Sequence, residues 1–134
     1  MVDSALVESV PRLAALPPAA RADLADAFEE VSVSAGEQIA GEGDFAYQVF
    51  AIIEGTARVE QDGVRVSTLG PGDLFGEIGL LLTGRRTATI VAETPIRLLV
   101  LFDQAFRRLS AEHPELAEVF HAQSRGRFTR RGAL

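Results

Sequence analysis

The chain contains no cysteine, which excludes a disulfide, a thiolate metal site and a thiol nucleophile. It holds only two histidines, His113 and His121, both in the C-terminal part. No uninterrupted apolar run approaches the ~20 residues that a membrane-spanning helix needs. The N-terminus lacks a basic region followed by an apolar stretch, the pattern of a secretion signal. The expectation is a cytoplasmic protein with no membrane segment. Positive charge is also scarce: 13 basic residues face 19 acidic ones, and the net charge of −6 argues against a nucleic-acid-binding domain. Four of the arginines (Arg125, Arg127, Arg130, Arg131) follow Phe120 with no acid among them, so residues 1–120 alone carry −10. An acidic body that binds an anion must do so with local donors rather than with a broad positive field.

What is present is ordinary for one globular domain: 134 residues, 47% hydrophobic and 24% charged, enough for a core without staples. Residues 4–30 read as helical, broken at Pro11 and Pro17-Pro18, with Ser4 as a cap and a helix from Ala19 to Glu30. Leu24, Ala27 and Phe28 form the docking stripe of that helix. From Val31 the signals change to short strands and turns. Asp62-Gly63 between Thr56–Glu60 and Val64–Ser67 is a strong hairpin signal. With Thr87–Ala92 and Ile96–Phe102, about eight strands are expected, arranged as a closed β-roll or jelly roll. After residue 102 helix returns. Asp103 is the expected N-cap, and Phe106 and Leu109 face the roll. A second helix begins at Pro114, with Leu116, Val119 and Phe120 as its apolar face.

Residues 70–89 are the most informative. Pro71-Gly72 suits the centre of a type II turn, because Pro presets φ and Gly accepts the positive φ that follows. Phe75 then leads into Gly76-Glu77-Ile78-Gly79-Leu80-Leu81-Leu82, about two turns if helical. The glycines leave backbone bare where a helix would start, and unpaired N–H groups at a helix start suit a phosphate. Glu77 only accepts hydrogen bonds when ionised, which suits a sugar hydroxyl. Arg86, nine residues on, offers a planar fork for two phosphate oxygens, and Thr87 adds a hydroxyl beside it. Arg85 reads as a solvated neighbour.

The run Phe75-Gly76-Glu77-Ile78-Gly79-Leu80-Leu81, followed by Gly84-Arg85-Arg86-Thr87-Ala88, resembles the phosphate-binding cassette of the cyclic nucleotide-binding domain family. Its members include catabolite-activator-type regulators, regulatory subunits of cyclic-nucleotide-dependent kinases and cyclic-nucleotide-gated channels. Gly41-Glu42-Gly43-Asp44, Tyr47 and Ile53-Glu54-Gly55 extend the resemblance over roughly residues 20–120. It implies one domain over residues 1–134: helical over 4–30, a β-roll over 31–102 with the cassette at 75–89, and a helical lid over 103–131. It implies that Glu77 takes the ribose 2′-hydroxyl and Arg86 the cyclic phosphate, with backbone N–H groups around Gly76, Ile78 and Gly79 completing the cradle. Val59 and Leu69 are candidates for the apolar wall beside the purine, with Phe75 next to the cradle. Arg127, or Arg130 in its place, is a candidate for reaching the base from the last helix, where Gly126 predicts fraying.

The function expected is regulatory: binding of a 3′,5′-cyclic nucleotide and a shift of the helices toward a closed lid. Cyclic AMP is favoured over cyclic GMP because of the chain's bacterial-type brevity, although a Thr at position 87 favours the guanine ligand in some resembling domains. No separate cofactor and no metal are called for. The output is another protein, another copy of this chain in a homodimer, or an effector domain outside it, since no helix-turn-helix, kinase motif or channel segment follows. Two alternatives stand beside this: an interaction scaffold that kept the fold without the ligand, and a cupin-like metal enzyme. The second is disfavoured because a cupin site needs two or more histidines and a carboxylate converging from strands.

Overall fold

The computed structural model describes residues 1–131, with side chains as far as Gln123. Proline placement sets the N-terminal part. Helices α1 (Ser4–Glu8), α2 (Pro11–Ala14) and α3 (Pro18–Ala27) follow one another, the last two with Pro in the first turn, where its missing N–H is harmless. The cap of α1 is Asp3 rather than Ser4, its carboxylate accepting the Ala5 N–H at 2.9 Å. Helix α3 ends three residues earlier than the expected Glu30. Phe28 swings to ψ 144°, and Glu29–Val33 becomes strand β1, paired with the strand Ile96–Phe102 from Glu29↔Val100 to Val33↔Ile96.

Eight strands follow the expected pattern: β1, β2 (Gln38–Ala40), β3 (Gln48–Glu54), β4 (Ala57–Gln61), β5 (Val64–Leu69), β6 (Leu74–Phe75), β7 (Thr89–Ala92) and β8 (Ile96–Phe102). They form two four-stranded antiparallel sheets in the orders β1-β8-β3-β6 and β2-β7-β4-β5, a jelly-roll arrangement. The Asp62-Gly63 hairpin is a two-residue loop with both φ positive (52° and 75°). At Pro71-Gly72 the type II turn is closed by Asp73 N–H to Gly70 O at 3.0 Å, with Gly72 at φ 89°. Strand β7 starts at Thr89, two residues later than expected.

Strands β3 and β8 alternate between two cores. Phe50, Ile52, Leu98 and Val100 fill the roll interior with Val59, Leu69, Phe75 and Ile90. Val49, Ala51, Leu99 and Leu101 face the other way, onto Val7, Leu13, Leu24 and Phe28 of the N-terminal helices. The same helical core takes Phe106 and Leu109 of α4 (Asp103–Glu112) and Leu116 and Phe120 of α5 (Pro114–Arg131), with Phe106 and Phe120 edge to face at 5.3 Å. Asp103 is the first helical residue and not the cap. Phe102 occupies the cap position in an extended conformation, and the Asp103 carboxylate accepts the Gln104 N–H at 2.8 Å. Helix α5 continues through Gly126, where fraying was expected; the side chains of Arg127 and Arg130 lie outside the described residues. Among the described residues no helix is long and apolar enough to cross a membrane.

Candidate functional site

The cassette begins where β6 stops. Gly76 has φ 100°, and a Cβ there would lie 2.9 Å from Gln48 O and 3.0 Å from Arg86 Nη1, so this turn requires glycine. A helical turn starts at Glu77, with Leu80 N–H donating to Gly76 O at 3.1 Å, then widens into a π-helical turn over Gly79–Thr83. The regular two-turn helix expected from the sequence is therefore wider and less regular. Gly84, left-handed at φ 70°, ends it, and the Thr83 hydroxyl pins the exit by donating to Arg85 O at 2.6 Å. π-Turns inside helices are uncommon and frequent at functional sites.

Beyond Gly84 the chain runs extended against the loop before β3. Ala46 N–H donates to Gly84 O, Arg86 N–H to Asp44 O at 2.7 Å and Gly43 N–H to Arg86 O at 2.9 Å. Extended backbone alternates its side chains, and this decides between the two arginines. Arg85 points outward, over the Phe45 ring at 4.0 Å, and donates to Gly43 O at 3.1 Å. Arg86 points inward and is 8% exposed. Its Nη2 donates to Gln48 O at 2.9 Å, its Nη1 reaches Gly76 O at 3.4 Å, and its guanidinium lies 5.1 Å from the centre of the Phe50 ring. Burial pushes the Arg86 pKa down, with the nearby Tyr47 acting the other way. Among the described residues, then, this buried cation is held by carbonyls and an aromatic face rather than by a carboxylate.

Arg86 opens onto a cleft of about 320 Å³ whose walls include Gln38, Asp44, Tyr47 and Gln48. Glu77, Thr87, Val59, Leu69 and Phe75 do not line that cleft. Val59 and Leu69 are fully buried in the roll interior, and Phe75 stacks on Phe50 at 4.8 Å. Glu77 is 5% exposed, and its Oε1 lies 3.5 Å from Nδ1 of His121 on α5. The cassette thus links two neighbours: Arg86 meets the roll, and Glu77 meets the last helix. Gly76 joins them, its carbonyl near Arg86 and its chain successor being Glu77.

Sequence reasoning did not assign Gln48, whose backbone carbonyl holds Arg86, or Phe50, whose face backs it. A backbone acceptor leaves no signature in residue type. It also missed His121, which immediately follows the buried Phe120 on α5. Among the described residues Asp23, Glu112 and His113 are close enough together to hold a metal, but they lie on α3 and at the α4–α5 junction rather than on strands, where a cupin-like centre would need its ligands. There His113 Nε2 and Asp23 Oδ2 form a 2.8 Å contact.

The family model described as cyclic nucleotide-binding domain matches residues 30–113. A cyclic nucleotide-gated potassium channel of Mesorhizobium japonicum is 34% identical over 128 residues, covering 96% of this chain and 35% of the channel. A cAMP-dependent protein kinase regulatory subunit of Aspergillus niger is 37% identical over 107 residues, 78% of this chain and 26% of that protein. The chain therefore spans between a quarter and about a third of these curated relatives. Among solved structures, cAMP-bound PfPKA-R superposes with a TM-score of 0.83 at 28% identity, covering 94% of this chain and 44% of the other. The family description names binding rather than catalysis, and the fold, the cassette and the residues matched agree: the chain belongs to the cyclic nucleotide-binding domain family.

Proposed function

We propose that this chain binds a 3′,5′-cyclic nucleotide, cyclic AMP in preference to cyclic GMP, and signals by repositioning α4 and α5. The observation that carries the reading is Arg86: a guanidinium 8% exposed, facing carbonyls and an aromatic ring, at the edge of a cleft. A buried cation without an anionic partner is expensive for a fold. A phosphate diester supplies the missing charge, and exchanging the Gln48 carbonyl for two phosphate oxygens replaces a neutral acceptor with a charge-assisted fork. Glu77 takes the ribose 2′-hydroxyl, and the backbone N–H groups of Gly76, Ile78 and Gly79, with Thr87, complete the cradle. Val59, Leu69 and Phe75 provide the apolar backing for the base.

The preference for cyclic AMP is supported by the Aspergillus niger relative, a cAMP-dependent regulatory subunit, and by the cAMP-bound structural neighbour. Helix repositioning is supported by the contact between Glu77 and α5, which a sugar at Glu77 must alter. The effector is a partner domain, a partner protein or a second copy of this chain in a homodimer. Calorimetric titration with cyclic AMP, cyclic GMP and 5′-AMP tests the ligand, with cyclic AMP expected to bind tightest and 5′-AMP weakest. Heat from none of the three leaves an interaction scaffold on the same fold. Spin labels on paired cysteines introduced at exposed sites of α5 and β5 report the helix movement, with no native cysteine to interfere.

A further inference from the structure

We propose that His121 is a pH-sensitive latch on the cassette, holding the Glu77 carboxylate from α5 in competition with the sugar hydroxyl of a ligand. The inference rests on the reading of Glu77 as the sugar-binding group. His121 Nδ1 lies 3.5 Å from Glu77 Oε1, with the imidazole side chain 50% exposed and the carboxylate side chain only 6%. The imidazole therefore stands on the solvent side of a nearly buried acceptor. It also borders a cleft of about 450 Å³ shared with Glu118, Val119 and Ala122.

The backbone around His121 is fixed at both sides. Phe120 is fully buried against Phe106, and Leu116 sits one turn earlier in the same core. Two residues later, Gln123 accepts the Leu74 N–H at 2.6 Å and donates to Asp73 Oδ1 at 2.5 Å. Those anchors hold the backbone that carries the imidazole beside the cassette, so the contact with Glu77 needs only the right rotamer of His121. An ionised carboxylate only accepts hydrogen bonds, so an imidazolium and a ribose hydroxyl seek the same group.

Histidine is the side chain whose ordinary titration falls near neutrality. Protonated, His121 makes a charge-assisted contact with Glu77; neutral, it makes at most an ordinary one. The sign follows. Lower pH strengthens the latch and weakens ligand binding, higher pH loosens it, and by linkage ligand binding expels a proton and releases His121 from Glu77. Other charged groups on the elements packed against α5 are Asp73 before β6, Arg12 of α2, and Asp103, Arg107, Arg108 and Glu112 of α4, with Arg107 Nη2 reaching Leu80 O at 3.4 Å. Glu118 lies one turn back on α5 itself. Carboxylates and guanidinium groups ordinarily keep their charge between about pH 6 and about pH 8, and the ligand's phosphate diester does too. The other histidine, His113, pairs with Asp23 on α3.

The test is calorimetric titration of cyclic AMP into the full chain at about pH 6 and about pH 8. Wild type, His121→Ala and His113→Gln are compared. Wild type and His113→Gln are expected to bind roughly threefold to fivefold more weakly at the lower pH, the factor that a partly exposed ion pair supplies. His121→Ala should show no such slope and should bind at least as tightly as wild type at the higher pH. A flat wild-type profile, or a slope that survives in His121→Ala, overturns the latch. Weaker binding by His121→Ala at both pH values also overturns it, because the imidazole would then be a ligand contact. Amide exchange of residues 77–83 and of α5 without nucleotide is the second readout. The latch predicts extra protection at the lower pH in wild type but not in His121→Ala, after correction for intrinsic exchange. If no protein binds cyclic AMP, the reading of Glu77 falls, while exchange still decides the contact: equal protection in both proteins overturns it.

Discussion

Replacing Arg86 with Met separates binding from stability. Met keeps an unbranched stem beside Phe50 and removes the charge and all five donors. Two carbonyls, of Gln48 and Gly76, lose a donor, one from a good 2.9 Å bond and one from a marginal 3.4 Å contact. An unsatisfied buried acceptor costs about 1–3 kcal/mol; that cost falls on Gln48 O, because Gly76 O keeps the Leu80 N–H at 3.1 Å. Against this stands relief of a buried cation whose pKa burial pushes down, which means that its charged form is less well solvated in the fold than in water. Replacement of buried ionic groups by apolar ones is often neutral or stabilising by about 1–4 kcal/mol. The two terms are of similar size, so the net change in stability is expected within about 2 kcal/mol, or a few degrees in Tm. Binding has no such offset. Losing a buried charge-assisted contact to phosphate costs about 2–5 kcal/mol, at least about 30-fold in Kd. Thermal unfolding and calorimetric titration on the same preparation measure both. Arg85→Ala, which removes the exposed contacts with Phe45 and Gly43 O, should change Kd less than about threefold. Unchanged affinity in Arg86→Met, or equal losses from the two arginines, would refute the reasoning, as would a stability loss large enough to unfold the binding-deficient variant.

Gly76→Ala places a methyl against Gln48 O and Arg86 Nη1 at φ 100°; it should lower stability by about 1–3 kcal/mol and weaken nucleotide binding, both read by thermal shift with and without ligand. The hydrogen bond from Arg65 holds the Glu93 carboxyl below its ordinary range. That contribution is full above the ordinary carboxylate pKa and fades as pH falls through the lowered one, so Arg65→Ala should raise the Glu93 midpoint in a carboxyl chemical-shift titration. His113→Ala breaks the 2.8 Å tie between the α4–α5 junction and Asp23 on α3; about 0.5–1 kcal/mol should be lost in chemical denaturation, with nucleotide affinity unchanged.

The sequence revealed most where residue type is dictated by backbone geometry. Gly72 and Asp62-Gly63 occupy positive φ and mark their turns without ambiguity. The spacing of Gly76, Glu77 and Arg86 located the cassette because Gly76 tolerates no Cβ and because extended backbone turns Arg86 inward and Arg85 out. The boundary of α3 was misjudged because Glu29 and Glu30 are good helix residues in isolation. Pairing with β8, where Arg97 meets Glu30 at 2.8 Å, overrides that local preference. The cap at Asp103 was missed by one residue for a related reason, since β8 runs through Phe102 directly into helix. Least legible were the contacts that complete the site. A backbone carbonyl at Gln48 has no side-chain signature, and the approach of His121 to Glu77 depends on how two helices pack against the sheet.

Strands β3 and β8 turn apolar side chains to both faces, so the roll interior and the helical bundle share a partition one backbone thick. Neither compartment owns its boundary. A swelling on one side, whether from a bulkier residue or an inserted guest, has no layer of solvent to absorb it and must be met by repacking on the other. Movement of the helices by an event inside the roll thus needs no dedicated wire; common walls suffice.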